Sequence, residues 1–423
     1  MMTPLCAETD QSSVTLLPSV LTRPAGSSWL FVKERFAWPR ASGHDVHTYG
    51  MMRALAEQGH SVSLLTVDEP PDEAIAGIQY ANRYCLSANQ PPVPPADQCR
   101  PAFSKSQAKF SNYWGISEDR IRQVGAAAQH CQADVVVVSG LNVLPYLGAV
   151  TNAARVWYAA DEWVWHHLSM VRPLRPKTWN ELKPAIVKGW YERAYRPMLE
   201  KIWVVTEADA RAFRVFAGMP RCDVIPNGID ADHYRPHDTD STPESCAFWG
   251  RLDFGPNQQA LEWFAQQIWP RVLERHPKAV FRVIGFHPTT EVVSICSKPG
   301  IELMANVPDI RTAVQSSQVA VLPFVSGGGI KNKLLEAAAL GMPIISTSRA
   351  TLGLKGTPPF VQTDRVGEWV EQLSRLWNDG EARRELGRDA RDWVVSHHSW
   401  PAAAQAAVDG LRLAGALRQG SSG

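Results

Sequence analysis

Within Ser326-Gly-Gly-Gly-Ile-Lys-Asn-Lys-Leu-Leu-Glu336, three glycines, two lysines and a carboxylate stand close enough to serve one small anionic ligand. Glycine backbone lets N–H groups approach an anion, and a helix expected to open near Lys331 adds the positive end of its dipole. Lys331 and Lys333 put cations where a phosphate would sit. Cations are disfavoured at a helix N-terminus, which tilts the reading toward a bound anion. Glu336 follows on the same helix, and its carboxylate can accept both hydroxyls of a ribose. Phosphate first and a diol one turn later describe a nucleotide. The bland alternative is a tight turn, a solvated first helical turn, and Glu336 as its acidic residue.

A loop of this kind needs a buried strand ahead of it, and Val319–Pro323 supplies one. Apolar runs at Trp29–Val32, Ser61–Thr66, Asp134–Ser139, Arg155–Ala160 and Lys201–Thr206 predict strands in the first half. Those at Ala247–Gly250, Ala279–Ile284 and Ile344–Ser346 predict them in the second. The near-continuous valines of 134–139 mark a strand covered on both faces. Helices are predicted over Val46–Gln58, Gln258–Glu274 and Ala402–Leu417, and a loop over about 85–104 with its Pro91-Pro-Val-Pro-Pro95. Strands alternating with helices give doubly wound α/β domains. The polar, proline-containing stretch after Arg235 predicts a linker. The expected partition is an extension over 1–27, a domain over 28–235, a linker over 236–246, a domain over 247–400, and a helix and tail over 401–423.

With 423 residues the chain can bury two cores, and 45% hydrophobic with 20% charged residues is ordinary globular composition. A net charge of +1 excludes the basic excess of a dedicated nucleic-acid binder. Seven scattered cysteines without a C-x-x-C pair suit a reducing cytoplasm rather than a disulfide or zinc scaffold. No apolar run reaches the ~20 residues that span a bilayer, and the N-terminus lacks the basic start of a signal peptide.

Three further motifs keep the glycine loop company: Val224-Ile-Pro-Asn-Gly-Ile-Asp230, Phe248-Trp-Gly-Arg-Leu-Asp-Phe-Gly-Pro-Asn257 and Phe281-Arg-Val-Ile-Gly-Phe-His-Pro288. In this order and spacing the chain resembles family 4 glycosyltransferases, closest to the branch of bacterial exopolysaccharide biosynthesis. The resemblance covers roughly 29–400 and is strongest between about 200 and 350. It implies a GT-B fold, two Rossmann-like domains facing a cleft with a C-terminal helix crossing back to the first. It also implies retaining transfer of a hexose from a nucleotide-diphosphate sugar, UDP-linked by expectation with GDP as the alternative. No permanently bound cofactor and no metal are expected.

The resemblance places Arg251 on the diphosphate. Many relatives carry a lysine six residues later, where this chain has Asn257, and Lys333 is expected to supply that charge, with Lys331 as second choice. The implied donor set is Arg251, Gly328, Gly329, Ile330, Lys331, Lys333, Leu334 and Glu336. The first glutamate of the family's E-x7-E pattern falls on Gly328 and is missing, so glycine N–H groups are expected to reach the sugar or phosphate instead. Gly43, with His44 and Asp45 beside it, sits where the family has a phosphate and acceptor loop, and a plain turn is the rival reading. Asp161 matches an acidic position of the exopolysaccharide branch that could orient or deprotonate the acceptor hydroxyl. Glu162 and His166 are secondary acceptor-side candidates, and His166 and His167 read equally as structural. Asp230-x-Asp232 and Asp238-x-Asp240 do not follow buried strands, as a metal site should.

Residues 172–201 hold eight Lys/Arg against three Glu, with Trp179, Trp190, Tyr191 and Tyr195 interleaved. Such a mixture offers peripheral contact with an anionic membrane, suiting a glycan or lipid-linked acceptor at the inner face. The other reading is a solvated helix with its aromatics packed inward. Two other functions remain open on sequence alone: a nucleotide-sugar epimerase of the same fold, and a non-catalytic nucleotide- or glycan-binding paralogue.

Overall fold

A computed structural model of the chain describes residues 26–38, 43–87, 99–160, 163–171, 176–219, 221–237, 240–327 and 329–417. Among the described residues thirteen strands form two sheets. β1 (Ser28–Lys33), β2 (Ser61–Thr66), β3 (Asn82–Cys85), β4 (Val135–Ser139), β5 (Ala154–Ala160), β6 (Lys201–Val204) and β7 (Cys222–Val224) lie in the order β3-β2-β1-β4-β5-β6-β7. β8 (Thr242–Arg251), β9 (Val280–Phe286), β10 (Ile301–Ala305), β11 (Ser317–Leu322), β12 (Ile344–Ser346) and β13 (Val361–Gln362) lie in the order β10-β9-β8-β11-β12-β13. Every pairing is parallel. Parallel strands need crossovers, and helices packed on both faces keep the sheets dry. In each sheet the strand order reverses once, between β1 and β4 and between β8 and β11, and crevices that bind ligands open at the carboxyl ends of such strands.

This is the two-domain α/β architecture that the resemblance implies, including the returning helix. Trp400 opens the last helix, Trp400–Leu413, and is wedged between two glycines. A Cβ on Gly50 of the helix Gly43–Glu57 would lie 2.3 Å from the Trp400 ring, and one on Gly228 would lie 2.5 Å from the Trp400 nitrogen. The Gln58 amide donates to the Pro401 carbonyl at 2.8 Å, and Arg53 pairs with Asp230. Arg391 donates to the carbonyls of Ala231, Tyr234 and Ala339, tying the crossing segment to the second domain.

One boundary differs from expectation. Residues 242–246, read as linker, are the first half of β8, a central strand. Polar side chains here are satisfied laterally. Arg282 donates to Thr242 Oγ1, the Gln318 side chain accepts from Glu244 N–H, and His276 Nδ1 meets the Glu244 carboxylate at 2.7 Å. Glu244 itself takes a positive φ of 49° beside a register shift opposite Ser317 and Val319, a bulge that breaks the alternation a strand would show.

Candidate functional site

The glycine loop leaves β11 at the reversal point of the second sheet and ends at the helix Asn332–Ala339. Gly327 and Gly329 both take left-handed φ values, 88° and 64°. Ile330 and Leu334 are buried and anchor the loop and first helical turn, while the buried Ser326 hydroxyl has no hydrogen-bond partner among the described residues. Gly328 lies outside the described residues.

Lys333 projects from that first turn onto the end of β8. A Cβ on Gly250 would fall 2.4 Å from Lys333 Cε and 2.6 Å from its Nζ. Gly250 also takes φ 130°, a conformation that side-chain-bearing residues avoid. The same point lies 3.5 Å from Asn257 Nδ2, so the Lys333 ammonium stands beside the Asn257 side chain. Asn257 is buried and donates to the Arg251 carbonyl at 2.6 Å, fixing the turn after β8. Two aromatic rings flank the ammonium, Phe324 at 5.8 Å and Phe248 at 5.9 Å. Lys333 keeps some accessible surface, but no carboxylate comes within salt-bridge reach among the described residues. Burial lowers its pKa, and the charge of Glu336 only partly opposes this. A desolvated ammonium of this kind gains most from a binding anion.

Glu336 accepts a 2.6 Å hydrogen bond from the Trp249 indole through Oε2. Burial raises its pKa against that bond and the Lys333 charge. Arg251, at the carboxyl end of β8, is more exposed. Its guanidinium is held by Asp253 at 3.0 and 3.2 Å, and the Asp253 carboxyl is correspondingly held below its usual pKa. Lys331 differs from its neighbour, since its ammonium reaches back to the Gly329 carbonyl at 3.3 Å and so braces the loop.

Across from this group stands the reversal point of the first sheet. Lys33, the last residue of β1, forms a buried 3.2 Å ion pair with Asp45 in the first turn of the helix Gly43–Glu57. Gly43 is exposed, and a Cβ there would meet nothing within 4 Å. His44 packs edge-on against Tyr158 at 5.4 Å, and burial followed by the Lys33 charge lowers its pKa to about 4. Asp161 and Glu162 lie outside the described residues, as does the His166 side chain. His167 is buried and bonded to Glu181 at 2.6 Å, a structural arrangement.

Two further contacts join the halves beside the glycine loop, and their partners could not be read from sequence. Asn227 Nδ2 donates to Asn332 Oδ1 at 2.7 Å, linking the Pro-Asn-Gly turn to the first residue of the helix Asn332–Ala339. A Cβ on Gly353 would sit 2.5 Å from Thr206 Cγ2 and 3.6 Å from Ile330. The Lys33–Asp45 pair was also missed, its only signal being a lysine closing an apolar strand. Asp230 is occupied by Arg53 and by the N–H groups of Asp232 and His233, while Asp238 lies outside the described residues. Among the described residues no three His, Cys, Asp or Glu side chains gather as a metal site.

Gly250→Ala is expected to be among the most damaging small substitutions here. It combines backbone strain of roughly 1–3 kcal/mol with a clash against Lys333. Thermal unfolding should show a midpoint several degrees lower, and a variant as stable as the parent would remove Gly250 from this role.

Two family models match the chain, Glycosyltransferase Family 4 over residues 41–233 and Glycosyl transferases group 1 over residues 243–379. None of the curated proteins matches it. Among solved structures, Anabaena HepE in complex with UDP and glucose is similar with a TM-score of 0.61 at 12% identity, covering 91% of this chain and 99% of its own. Sucrose-phosphate synthase from Thermosynechococcus elongatus is similar with a TM-score of 0.63 at 13% identity, over 92% and 98% of the two chains. A mutant of S. aureus TarM, in complex with Fondaparinux, alpha-GlcNAc-glycerol and UDP, gives 0.63 at 9% identity over 90% and 99%. At these identities the likeness establishes the fold.

Proposed function

The chain is a glycosyltransferase of the GT-B type, its halves matching family 4 and group 1 domains, and we propose that it moves a hexose from a nucleotide-diphosphate donor to an acceptor hydroxyl with retention. The observation that carries this reading is the Lys333 ammonium, desolvated beside Gly250 with no acid in salt-bridge reach among the described residues. It lies on the same side of Gly250 as the side chain of Asn257, the position where the resemblance implies that many relatives carry a lysine. Arg251, Lys333, the Ser326 hydroxyl and the loop N–H groups supply donors for a diphosphate. Glu336, with Oε2 held by Trp249, has Oε1 for the ribose hydroxyls.

The bond from the anomeric carbon to the diphosphate oxygen breaks as the bond to the acceptor oxygen forms. In a front-face path the acceptor's proton passes to the departing diphosphate. Fixed cations in a low-dielectric cleft stabilise that growing charge without a metal ion. Gly43, His44 and Asp161 are the acceptor-side candidates. HepE has been solved with UDP-glucose, which makes a UDP-sugar the first donor to test. We place the activity in cytoplasmic exopolysaccharide or glycoconjugate synthesis. Six described cysteines are free, and no described helix is long and apolar enough to cross a membrane.

Thermal unfolding against UDP, GDP, ADP, TDP and CMP tests the donor site. Ligand at 100 times its dissociation constant adds about 2.7 kcal/mol, raising the midpoint roughly 2–4 °C per kcal/mol. The rise is expected with one diphosphate and should vanish in Glu336→Ala, which should also lower turnover severely. A flat response across the panel would favour the non-catalytic reading.

A further inference from the structure

The helix Leu182–Tyr195 buries Ala185, Gly189, Glu192 and Tyr195 against the first domain. On its outer side Leu182, Ile186 and Trp190 recur at i, i+4 and i+8, and they are 38%, 72% and 55% exposed. An apolar stripe at that spacing normally faces a core. Here it faces solvent. Trp179 just before the helix is exposed as well, as are Tyr113 and Trp114 at the end of the helix Lys105–Tyr113. Of the four aromatics interleaved with the basic residues in this stretch of sequence, Tyr191 and Tyr195 pack inward and Trp179 and Trp190 point out.

The exposed charges of these two helices are all positive, and Glu181, between Trp179 and Leu182, is bonded to His167. Lys105, Lys109, Lys183, Lys188 and Arg193 reach solvent from the two helices, while their one acid, Glu192, is fully buried. Lys109 lies 5.6 Å from the Trp190 ring centroid and Lys188 lies 3.8 Å from that of Trp163, so ammonium groups and indoles share the surface. A chain with a net charge of only +1 has concentrated cations here. Between the helices a cavity of about 170 Å³ is lined by Trp114, Leu141 and Val187, with Lys183 and Lys188 beside them. Tyr191 completes the lining, and its buried hydroxyl has no hydrogen-bond partner among the described residues. Leu141 follows the carboxyl end of β4, so the cavity lies at the ligand-binding edge of the first sheet.

We propose that this face rests on a membrane containing anionic phospholipid. Trp179, Ile186 and Trp190 enter the boundary between headgroups and acyl chains, and the lysines lie against lipid phosphates with their stems on the apolar surface. A second copy of this chain is a poor occupant, because the cations of the two faces would repel. Docking goes beyond the donor chemistry and is read by binding alone, so it can fail while transfer stands.

The test is co-sedimentation of the full chain with vesicles of phosphatidylcholine alone or mixed with phosphatidylglycerol. Binding is expected to the mixed vesicles only and should weaken with salt. Ile186→Ser with Trp190→Ser, and separately Lys105→Glu with Lys183→Glu, should each reduce binding at least about tenfold. All four residues are solvent-exposed, so the thermal midpoint should hold, certifying the fold. Equal binding to both vesicle types, no binding to either, or variants that bind like the parent would overturn the proposal. So would a concentration-dependent dimer abolished by the same substitutions.

Discussion

Lys333→Ala should lower kcat for glycosyl transfer by about 10²–10³-fold, the usual cost of deleting one preorganised group that faces developing negative charge. The argument rests on where the cost of the ammonium is met. Apart from ligand, Lys333 is desolvated, and its attractive neighbours are two aromatic faces and Glu336 three residues on. Removing it relieves that cost, so the variant should be at least as stable as the parent by thermal unfolding. A fall in kcat with unchanged or raised stability separates a role in the reaction from a role in the fold. Lys333→Arg should not rescue, because the wider guanidinium has no room beside Gly250. The depressed pKa adds a pH signature. Diphosphate affinity should decline toward alkaline pH sooner than an ordinary lysine would allow. Transfer by Lys333→Ala within a few-fold of the parent would remove this residue from the mechanism and return the charge to Arg251 and Lys331.

What could be read in the sequence follows the burial of each element. β2 and β12 fall where the apolar runs predict them, and the other interior strands differ mainly at their ends. A strand covered on both faces must be continuously apolar, and such runs are legible. The unforeseen strands are β3, β7, β10 and β13, the four edges of the two sheets. Asn82-Arg-Tyr-Cys85 and Cys222-Asp-Val224 are short and partly polar because an edge faces water, and a two-residue edge such as β13 has no pattern to detect. At the candidate site, the glycine loop and Lys333 stand out in the sequence because their residue types are unusual at a strand-to-helix turn. The proximity of Lys333 to Asn257, the Trp249 bond to Glu336 and the Asn227–Asn332 link are long-range contacts, invisible to any local pattern. Asp161, the acceptor-side candidate named from resemblance, lies outside the described residues, and mutagenesis must address it.

Acidification from pH 6.5 to 5 should cost this protein about 3 kcal/mol through two buried histidines alone. His47 stacks on Tyr158 with centroids 3.8 Å apart, meets the Ile225 carbonyl at 3.3 Å, and lies edge-on to Trp400 of the returning helix. His398 receives the Lys355 N–H on Nε2, so its proton must sit on Nδ1, donated to the Asn227 carbonyl at 2.9 Å. Both rings are therefore neutral in the fold, and burial lowers their pKa values to about 3 and about 4. In the unfolded chain each titrates near 6.5. As pH falls below 6.5 the unfolded state takes up protons first, and stability drops until the folded values are reached. Well below pH 6.5 each ring loses about 1.4 kcal/mol per pH unit, against a total of about 5–15 kcal/mol for a typical fold. Glu336, whose pKa is raised, works in the opposite direction and offsets part of the loss. Because both rings join the crossing segment to its neighbours, the acid-induced opening should begin at the domain junction. The slope of thermal midpoint against pH between 6.5 and 5 measures the effect. His47→Phe with His398→Gln should lower stability at pH 7.5 yet flatten that slope, since neither replacement takes up a proton. An unchanged slope in the double variant would place the acid sensitivity elsewhere, with His44 and His60, also shifted downward, the next to replace.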